Sequence, residues 1–490
     1  MPQLRKTSLR TALAALTLAA CGWSKNIHVS VAGNDQAAGT IGAPLATLAK
    51  AAANSAPGDT ILIRGGTYKL NAQLDPKSGT SENARITYKA FPGETVLVDG
   101  QDGYCMSLTS RSWLTFDGIR FTTRDTAVGA GMVYFENTRH ILFQNCEIYG
   151  MPSEHGSENS AVIRCMSTGW PDTADVENSD SCVFRNNHFH DNASPAMRLY
   201  DTKGWVIENN RFENCKHAIG GKDEPYGMLI RRNLVIGGEL AFYFPMQGGG
   251  DGVTITENIV VGTDGGMNIG GLGTYDNQRR NVKMFNNTFY NVGTWLFGWS
   301  DPKFDTLTAF WNNIIHSDIA LNIPAGADVG SRFISVGKYA TERMEPTDYS
   351  FDYNNYSMPS NDRSTPFIDG RVSYPDLAAW RTARAPFDAH SIAADPLFVN
   401  QTARDFHLAA SSPCKGAGKN GEDLGAYPRG DDGTVIGILP GAGTSIRRAA
   451  SGGHGNRIPS ENGYFANGRA AERPANRLGN GSVVAPFGAH

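Results

Sequence analysis

The sequence has little of what would place it in several large classes of protein. Its charges nearly cancel: 44 Lys and Arg against 48 Asp and Glu leave a net charge of -4, which offers no basic surface for nucleic acid. The apolar run near its start, TALAALTLAA, is too short to cross a bilayer as a stable helix. The middle of the chain lacks the long 3.6-residue periodicity, rich in alanine and leucine, that helical repeats require. Glycine is abundant instead, at 56 of 490 residues, and suits a chain of many tight turns. A hydrophobic content of 40% and an aromatic content of 10% suffice for a sizeable core. Length alone leaves open two or three average domains or one long repetitive one.

Residues 1–20 read as a signal peptide and stay outside the fold. Arg5, Lys6 and Arg10 form a basic start, and the apolar run ends in LAAC, with Cys21 followed by Gly22. That ending resembles a bacterial lipobox. The resemblance implies cleavage before Cys21, its lipidation, and a mature protein tethered to a membrane. Gly22 in the second mature position looks like an outer-membrane lipoprotein; without the lipid the protein would be periplasmic. Of the 7 cysteines, those after Cys21 meet an oxidising compartment. Cys165 and Cys182 flank a polar insertion and either close it as a disulfide or remain buried thiols.

Internal repetition dominates residues 110 to 325. LFQNCEI (142–148), VFRNNHF (183–189), VIENNRF (206–212), LIRRNLV (229–235), TITENIV (254–260), KMFNNTF (283–289) and AFWNNII (309–315) share one pattern. An apolar residue, two polar positions and an apolar residue recur. The second polar position holds Asn187, Asn210, Asn233, Asn258, Asn287 and Asn313, with Cys146 in that place one coil earlier. Repeats of about two dozen residues, each with three short period-two strands, predict a solenoid of stacked parallel strands. Stacked asparagines can hydrogen-bond coil to coil, which explains them without catalysis. The expected fold is all-β, a single-stranded right-handed parallel β-helix over residues 26–428. PLATLAKAAANSAPGD reads as a helix capping its N-terminal edge, and closing C-terminal coils follow near residues 375–428. Residues 440–490 have no periodicity and are expected to be disordered.

The layout from GTIGAPLATLAKAAANSAPGDTILIRGGTY to ADPLFVN is similar to exported bacterial β-helix proteins of the pectate-lyase-like superfamily. That superfamily includes lyases, hydrolases, epimerases and inactive binders, so the resemblance is specific for fold rather than chemistry.

A second strand follows each asparagine turn: MVYFEN (132–137), AVIRCM (161–166), AMRLYD (196–201), AIGGKD (218–223), AFYFPM (241–246), MNIGGL (267–272), LFGWSD (296–301) and ALNIPA (320–325). Aligned on their first letters, the second and fourth places face the core, with Val133 and Phe135, Met197 and Leu199, Phe242 and Phe244, Phe297 and Trp299. The third and fifth places then face solvent, with Tyr134 and Glu136, Arg198 and Tyr200, Gly220 and Lys222, Tyr243 and Pro245. Tyrosines cover sugar rings and cations hold carboxylates, so this face suits an acidic polysaccharide. Gly220 and Gly221 would clear room beside Lys222 for a ring. With about 4.8 Å between coils and about 3.4 Å per residue, the Cα atoms of Arg198 and Lys222 should lie roughly 8 Å apart.

The chemistry this pattern suggests is β-elimination from a uronate. Arg198 would neutralise the carboxylate, Lys222 would take the proton, and Tyr200 or Tyr243 would protonate the leaving oxygen. β-Helix polysaccharide lyases with a lysine base share this scheme, although in the chondroitinase-B and alginate-lyase type the arginine follows the lysine by about one coil. Tyr134, Glu136 and Tyr243 would bind substrate. Asp201 and Asp223, with Glu224 beside them, form either a calcium site or a solvated turn. Two further readings stay open: a glycoside hydrolase using Asp201 and Asp223, and a non-catalytic polysaccharide-binding lipoprotein. His188 and His190 share a strand face as a weaker metal pair, and His155, Glu154, Glu158 and Trp170 of the insertion would wall the groove. A monomer is expected.

Overall fold

Short strands that are apolar at every second position cannot bury that face alone, so they stack on copies of themselves. A computed structural model of the chain describes residues 24–125, 131–152, 160–166, 179–222, 225–244, 251–269, 279–298, 305–306, 308–318, 332–336, 343–359, 366–430 and 432–437. Its strands form three long sheets. The first runs from Asn26–Val29 to Tyr349–Asp352, the second from Gly66–Lys69 to Asn355–Ser357, and the third from Met106–Ser107 to Phe367–Asp369. Neighbouring strands are parallel until Phe367–Asp369 meets Val372–Tyr374 antiparallel. The chain is a right-handed parallel β-helix.

Inside, equivalent residues of successive coils lie on one another. Phe116, Phe143 and Phe184 stack with centroids 4.6 and 5.1 Å apart. At the N-terminal end the helix Leu48–Asn54 buries Leu48, Ala51 and Ala52, and its cap Thr47 accepts from the Lys50 amide. It supplies the cover that the sequence predicts.

The asparagines form a continuous column at the bend between the first and second sheets. Asn187 Nδ2 donates to Asn210 Oδ1 at 3.0 Å, Asn210 to Asn233 at 3.1 Å, Asn233 to Asn258 at 3.0 Å, Asn258 to Asn287 at 2.9 Å, and Asn287 to Asn313 at 3.0 Å. Each carboxamide oxygen also accepts the main-chain amide of the previous coil's asparagine, as from Asn187 to Asn210 at 2.9 Å. Cys146 interrupts the side-chain column but its amide still donates to Asn187 Oδ1. The residue before each asparagine makes the bend in the left-handed region: Asn186, Asn209, Arg232, Glu257, Asn286 and Asn312 have φ between 54° and 56°. Asparagine tolerates that conformation best, which accounts for the recurrent NN pairs.

The C-terminal part departs from the expected closing coils. After the helix Leu377–Ala383 and the bridge from Ile392 to Asn355, the chain turns outside. The hairpin Phe398–Asn400 and Asp405–Leu408 and the residues that follow cover the outer face of the second sheet, where Leu234 and Ile259 are apolar. Gly425 donates to the Asn312 carbonyl, Ala426 to Thr288 Oγ1, and Gly437 to the Arg232 carbonyl. The segment therefore runs back towards the N-terminus.

Replacing Asn210 with alanine leaves the Phe184 carbonyl and the Asn187 donors without their partner. Unfolding in urea should show a loss of at least about 2 kcal/mol, since several buried groups are orphaned together. A wild-type midpoint would show that the column is dispensable.

Candidate active site on the third sheet

Side chains of a strand alternate between core and exterior, so register decides which residues share a face. Met197 and Leu199 lie in the core, which sends Arg198 and Tyr200 to the outer side of the third sheet. Arg198 pairs with Gly220 and Tyr200 with Lys222, and Gly220 with Tyr243. These pairings match the sequence alignment, including the two-residue offset between Arg198 and Lys222. Elsewhere the alignment is one residue out. Ile163, not Val162, pairs with Val133, so Arg164 stands beside Tyr134 on one side and Arg198 on the other. Asn268 pairs with Tyr243, and Phe297 is in register with Asn268; the Phe297 side chain and Trp299 lie outside the described residues. The outer row reads Tyr134, Arg164, Arg198, Gly220, Tyr243 and Asn268.

This face is not the open solvent surface that alternation alone predicts. Tyr134, Glu136 and Tyr243 are partly exposed, but Arg198 is 3% and Tyr200 6% exposed. Facing away from the core and facing water are different things in a packed row. The Arg198 guanidinium lies over the Tyr243 ring, 5.3 Å from its centroid, and Nε has no hydrogen-bond partner. Among the described residues no carboxylate forms an ion pair with it. A buried cation without an acid is costly unless something else completes it.

The two glycines have different tasks. A Cβ on Gly221 would lie 2.5 Å from Phe244 Cε1, so this glycine makes room for a core ring and not for a ligand. Gly220 sits in the outer row between Arg198 and Tyr243, where a Cβ would lie 3.6 Å from Tyr243 Cδ1. Lys222 belongs to the strand His217–Lys222; its side chain lies outside the described residues.

The sequence reading missed His217, which is 7% exposed and packs on Tyr243 with centroids 4.8 Å apart. Its Nε2 is 3.6 Å from Glu239 Oε2. Burial and then the Arg198 charge outweigh Glu239 and hold its pKa below the usual value, favouring neutral imidazole. Glu239 is drawn down chiefly by His217. On the next coil Asp264 is raised, by burial and then by Glu239. Burial and then Glu136 push Tyr134 up to about 12. A histidine opening the stretch HAIGGKD, one coil before Tyr243, is the signal the sequence offers.

Of the expected calcium ligands, Asp223 and Glu224 lie outside the described residues, as do Cys21, Pro245, His155, Glu154, Glu158 and Trp170. Asp201 is 6% exposed rather than on a solvated turn, with φ of 47°. Among the described residues no group of three or more His, Cys, Asp or Glu could hold a metal. His188 and His190 are engaged with carboxylates instead: His188 Nε2 is 2.7 Å from Glu213, and His190 is 3.1 Å from Glu147 and 2.8 Å from Asp191. Cys165 and Cys182 are free, buried thiols, as are the other described cysteines.

Residues 27–223 match a family model described as Pel9A-like, right-handed β-helix region. Pectate lyase PEL9 of Emericella nidulans is 42% identical over 78 residues, 16% of this chain and 19% of that protein. The matched stretch is thus less than a fifth of that relative. The uncharacterized protein YwoF of Bacillus subtilis is 23% identical over 454 residues, covering 79% of this chain and 92% of its own. Among solved structures, the GH136 lacto-N-biosidase from Eubacterium ramulus is similar with a TM-score of 0.50 at 12% identity, covering 76% of this chain and 67% of that one. That likeness is one of fold.

Gly221→Ala should cost about 1–3 kcal/mol in chemical unfolding, because Phe244 must give way; an unchanged midpoint would show that the ring yields freely. Glu213 gives a pH test. Burial opposes its charge, but His188 and Arg211 outweigh burial and draw its pKa from 4.5 to about 2. A depressed carboxyl stabilises the fold above its unfolded pKa and loses that contribution as pH falls through the folded value. Glu213→Gln should therefore melt below wild type above about pH 5, and the two should converge on acidification towards about pH 2. Parallel melting curves across that range would remove Glu213 from the balance.

Proposed function

We propose that the chain is an exported, lipid-anchored β-helix protein that cleaves an acidic, uronate-containing polysaccharide by β-elimination on the outer face of its third sheet. One observation carries the reading: Arg198 is a buried guanidinium, seated on Tyr243, with no carboxylate partner among the described residues. A uronate carboxylate supplies the missing charge in a fork geometry that arginine matches. Tyr134 and Tyr243, two coils either side and both partly exposed, offer contacts to neighbouring sugars, and Glu136 offers an acceptor for hydroxyl groups.

In this scheme the neutral Lys222 amine takes the C5 proton. The electron pair closes the C4–C5 double bond, the C4–O bond breaks, and Tyr200 or Tyr243 gives the departing oxygen a proton. Arg198 holds the carboxylate while negative charge builds on it. Asp223 and Glu224 lie outside the described residues and Asp201 is buried, so no step is routed through the metal. Calcium held by Asp201, Asp223 and Glu224 remains part of the proposal only as something the assay tests.

A second reading has its own support. Glu239 and Asp264 precede the paired residues Leu240 and Gly265 on adjacent coils, one held low and one raised. Divergent carboxylates of this kind can divide acid and base roles in glycoside hydrolysis. They are a different pair from Asp201 and Asp223, of which Asp223 lies outside the described residues.

The mature protein should raise ultraviolet absorbance from unsaturated products on one of pectate, alginate or a glycosaminoglycan, with Lys222→Ala and Arg198→Gln inactive. Added chelator reads calcium dependence, and labelling of wild type against Cys21→Ala with a radioactive fatty acid reads the anchor. New reducing ends without absorbance would select the hydrolase. Binding without either product would leave a polysaccharide-binding lipoprotein.

A further inference from the structure

Arg198 is not the only cation of its row. Arg164 stands in direct register with it on the preceding coil, so their Cα atoms are about one strand spacing, roughly 4.8 Å, apart. Like charges facing each other across adjacent strands repel, and such pairs are disfavoured unless something opposes them. Here their side chains diverge. Arg164 Nη1 donates to the Tyr104 hydroxyl at 3.3 Å, towards the N-terminal coils. Arg198 reaches the other way, across Gly220 to Tyr243.

Each arm is built into the packing. Tyr104 meets Tyr134 edge-on, with centroids 5.9 Å apart and an interplanar angle of 71°. A Cβ on Gly131 would fall 2.7 Å from Tyr104 Cε1 and 3.4 Å from Arg164 Cβ, so a glycine is what admits the pair. Gly220 has the corresponding place on the other arm. The row is therefore tyrosine, cation, cation, glycine, tyrosine, with the guanidinium groups turned along the solenoid axis in opposite directions.

We propose that Arg164 is a second anion-binding residue, holding a carboxylate on a different sugar ring from the one held by Arg198, so that the polysaccharide lies along the solenoid axis. This rests on the lyase reading for the identity of the anion. Arg164 then contributes to binding and to the selection of chains with more than one acidic ring, while Arg198 stays at the ring that reacts. A ligand crossing the sheet along one strand would meet only one of the two cations.

The test compares wild type, Arg164→Gln, Arg164→Lys and Arg198→Gln on oligouronates of two to six rings, reading turnover by ultraviolet absorbance and affinity by calorimetry. Thermal melting confirms that each variant is folded, and Arg164→Lys keeps the charge where Arg164→Gln proves unstable. Arg164→Gln should raise KM about tenfold, the scale of one lost charge-assisted hydrogen bond, with kcat nearly unchanged. It should also abolish the gain in affinity with chain length, and Arg164→Lys should recover part of it. Arg198→Gln should lose kcat. An active wild type with Arg164→Gln unchanged in KM and length dependence would overturn the inference and leave the lyase reading standing. If wild type binds oligouronates without turning them over, the lyase reading fails, and calorimetry still decides: a tenfold weaker Arg164→Gln upholds the second site and an equal affinity overturns it. If wild type binds none of them, both fall.

Discussion

A column of buried carboxamides sets the vertical alignment of this molecule. Each asparagine from Asn187 to Asn313 is bonded through its side chain to the next in the column, and its oxygen also accepts the main-chain amide of the residue one coil earlier. The amides are buried, so any coil displaced along its strand would strand donors and acceptors together. That penalty fixes the strands of the first two sheets. The third sheet inherits its alignment from them through short connections, and its side-chain rows follow. A slip of one residue there would exchange the core and outer faces, sending Arg198 inwards and Leu199 out.

The outer row gains its chemistry from what the same order permits. Several charged groups among the described residues are paired across neighbouring strands: Arg231 with Glu208, Arg120 with Glu147, and Lys89 with Asp117. These contacts spread modest stabilisation over a solvated surface. Arg198 is different, because it is withdrawn from water, lies on an aromatic ring and finds no acid among the described residues. His217 and Glu239 meet at the far end of the same face, where burial and that arginine hold the histidine pKa below its ordinary value. Stability would favour neutral, apolar side chains in such places. Their clustering on one face is the feature on which the proposed site rests.

The fold was readable because its signals repeat. Apolar alternation and the recurring asparagine are each seen several times, so errors in one coil do not alter the conclusion. The left-handed residue before each asparagine was half visible: NN pairs announce it, while Arg232 and Glu257 occupy the same conformation with no preference for it. The site was harder because it occurs once. Matching strands by their first letters worked for Met197, Ile219 and Phe242, then failed for Ile163, Met267 and Leu296, since loops of unequal length shift where a strand begins. One residue of error hid Arg164. Burial was not legible either: alternation says which side of a sheet a residue leaves by, and nothing about what covers it. Gly221 illustrates the point, because its partner Phe244 is a full coil away in sequence.

The returning C-terminal segment has a consequence of another kind. Coils that touch only their neighbours form an array that can gain or lose a member without disturbing distant ones. This array is not free to do so. From its bridge at Asn355 the chain fastens in turn to Asn312, Thr288, Glu257 and Arg232, using one non-repeating stretch of fixed length. A coil inserted between Arg232 and Asn312 would move each later fastening by one rise and leave the stretch too short. The segment acts as a ruler laid against the solenoid, so a structure assembled from interchangeable parts has a counted number of them.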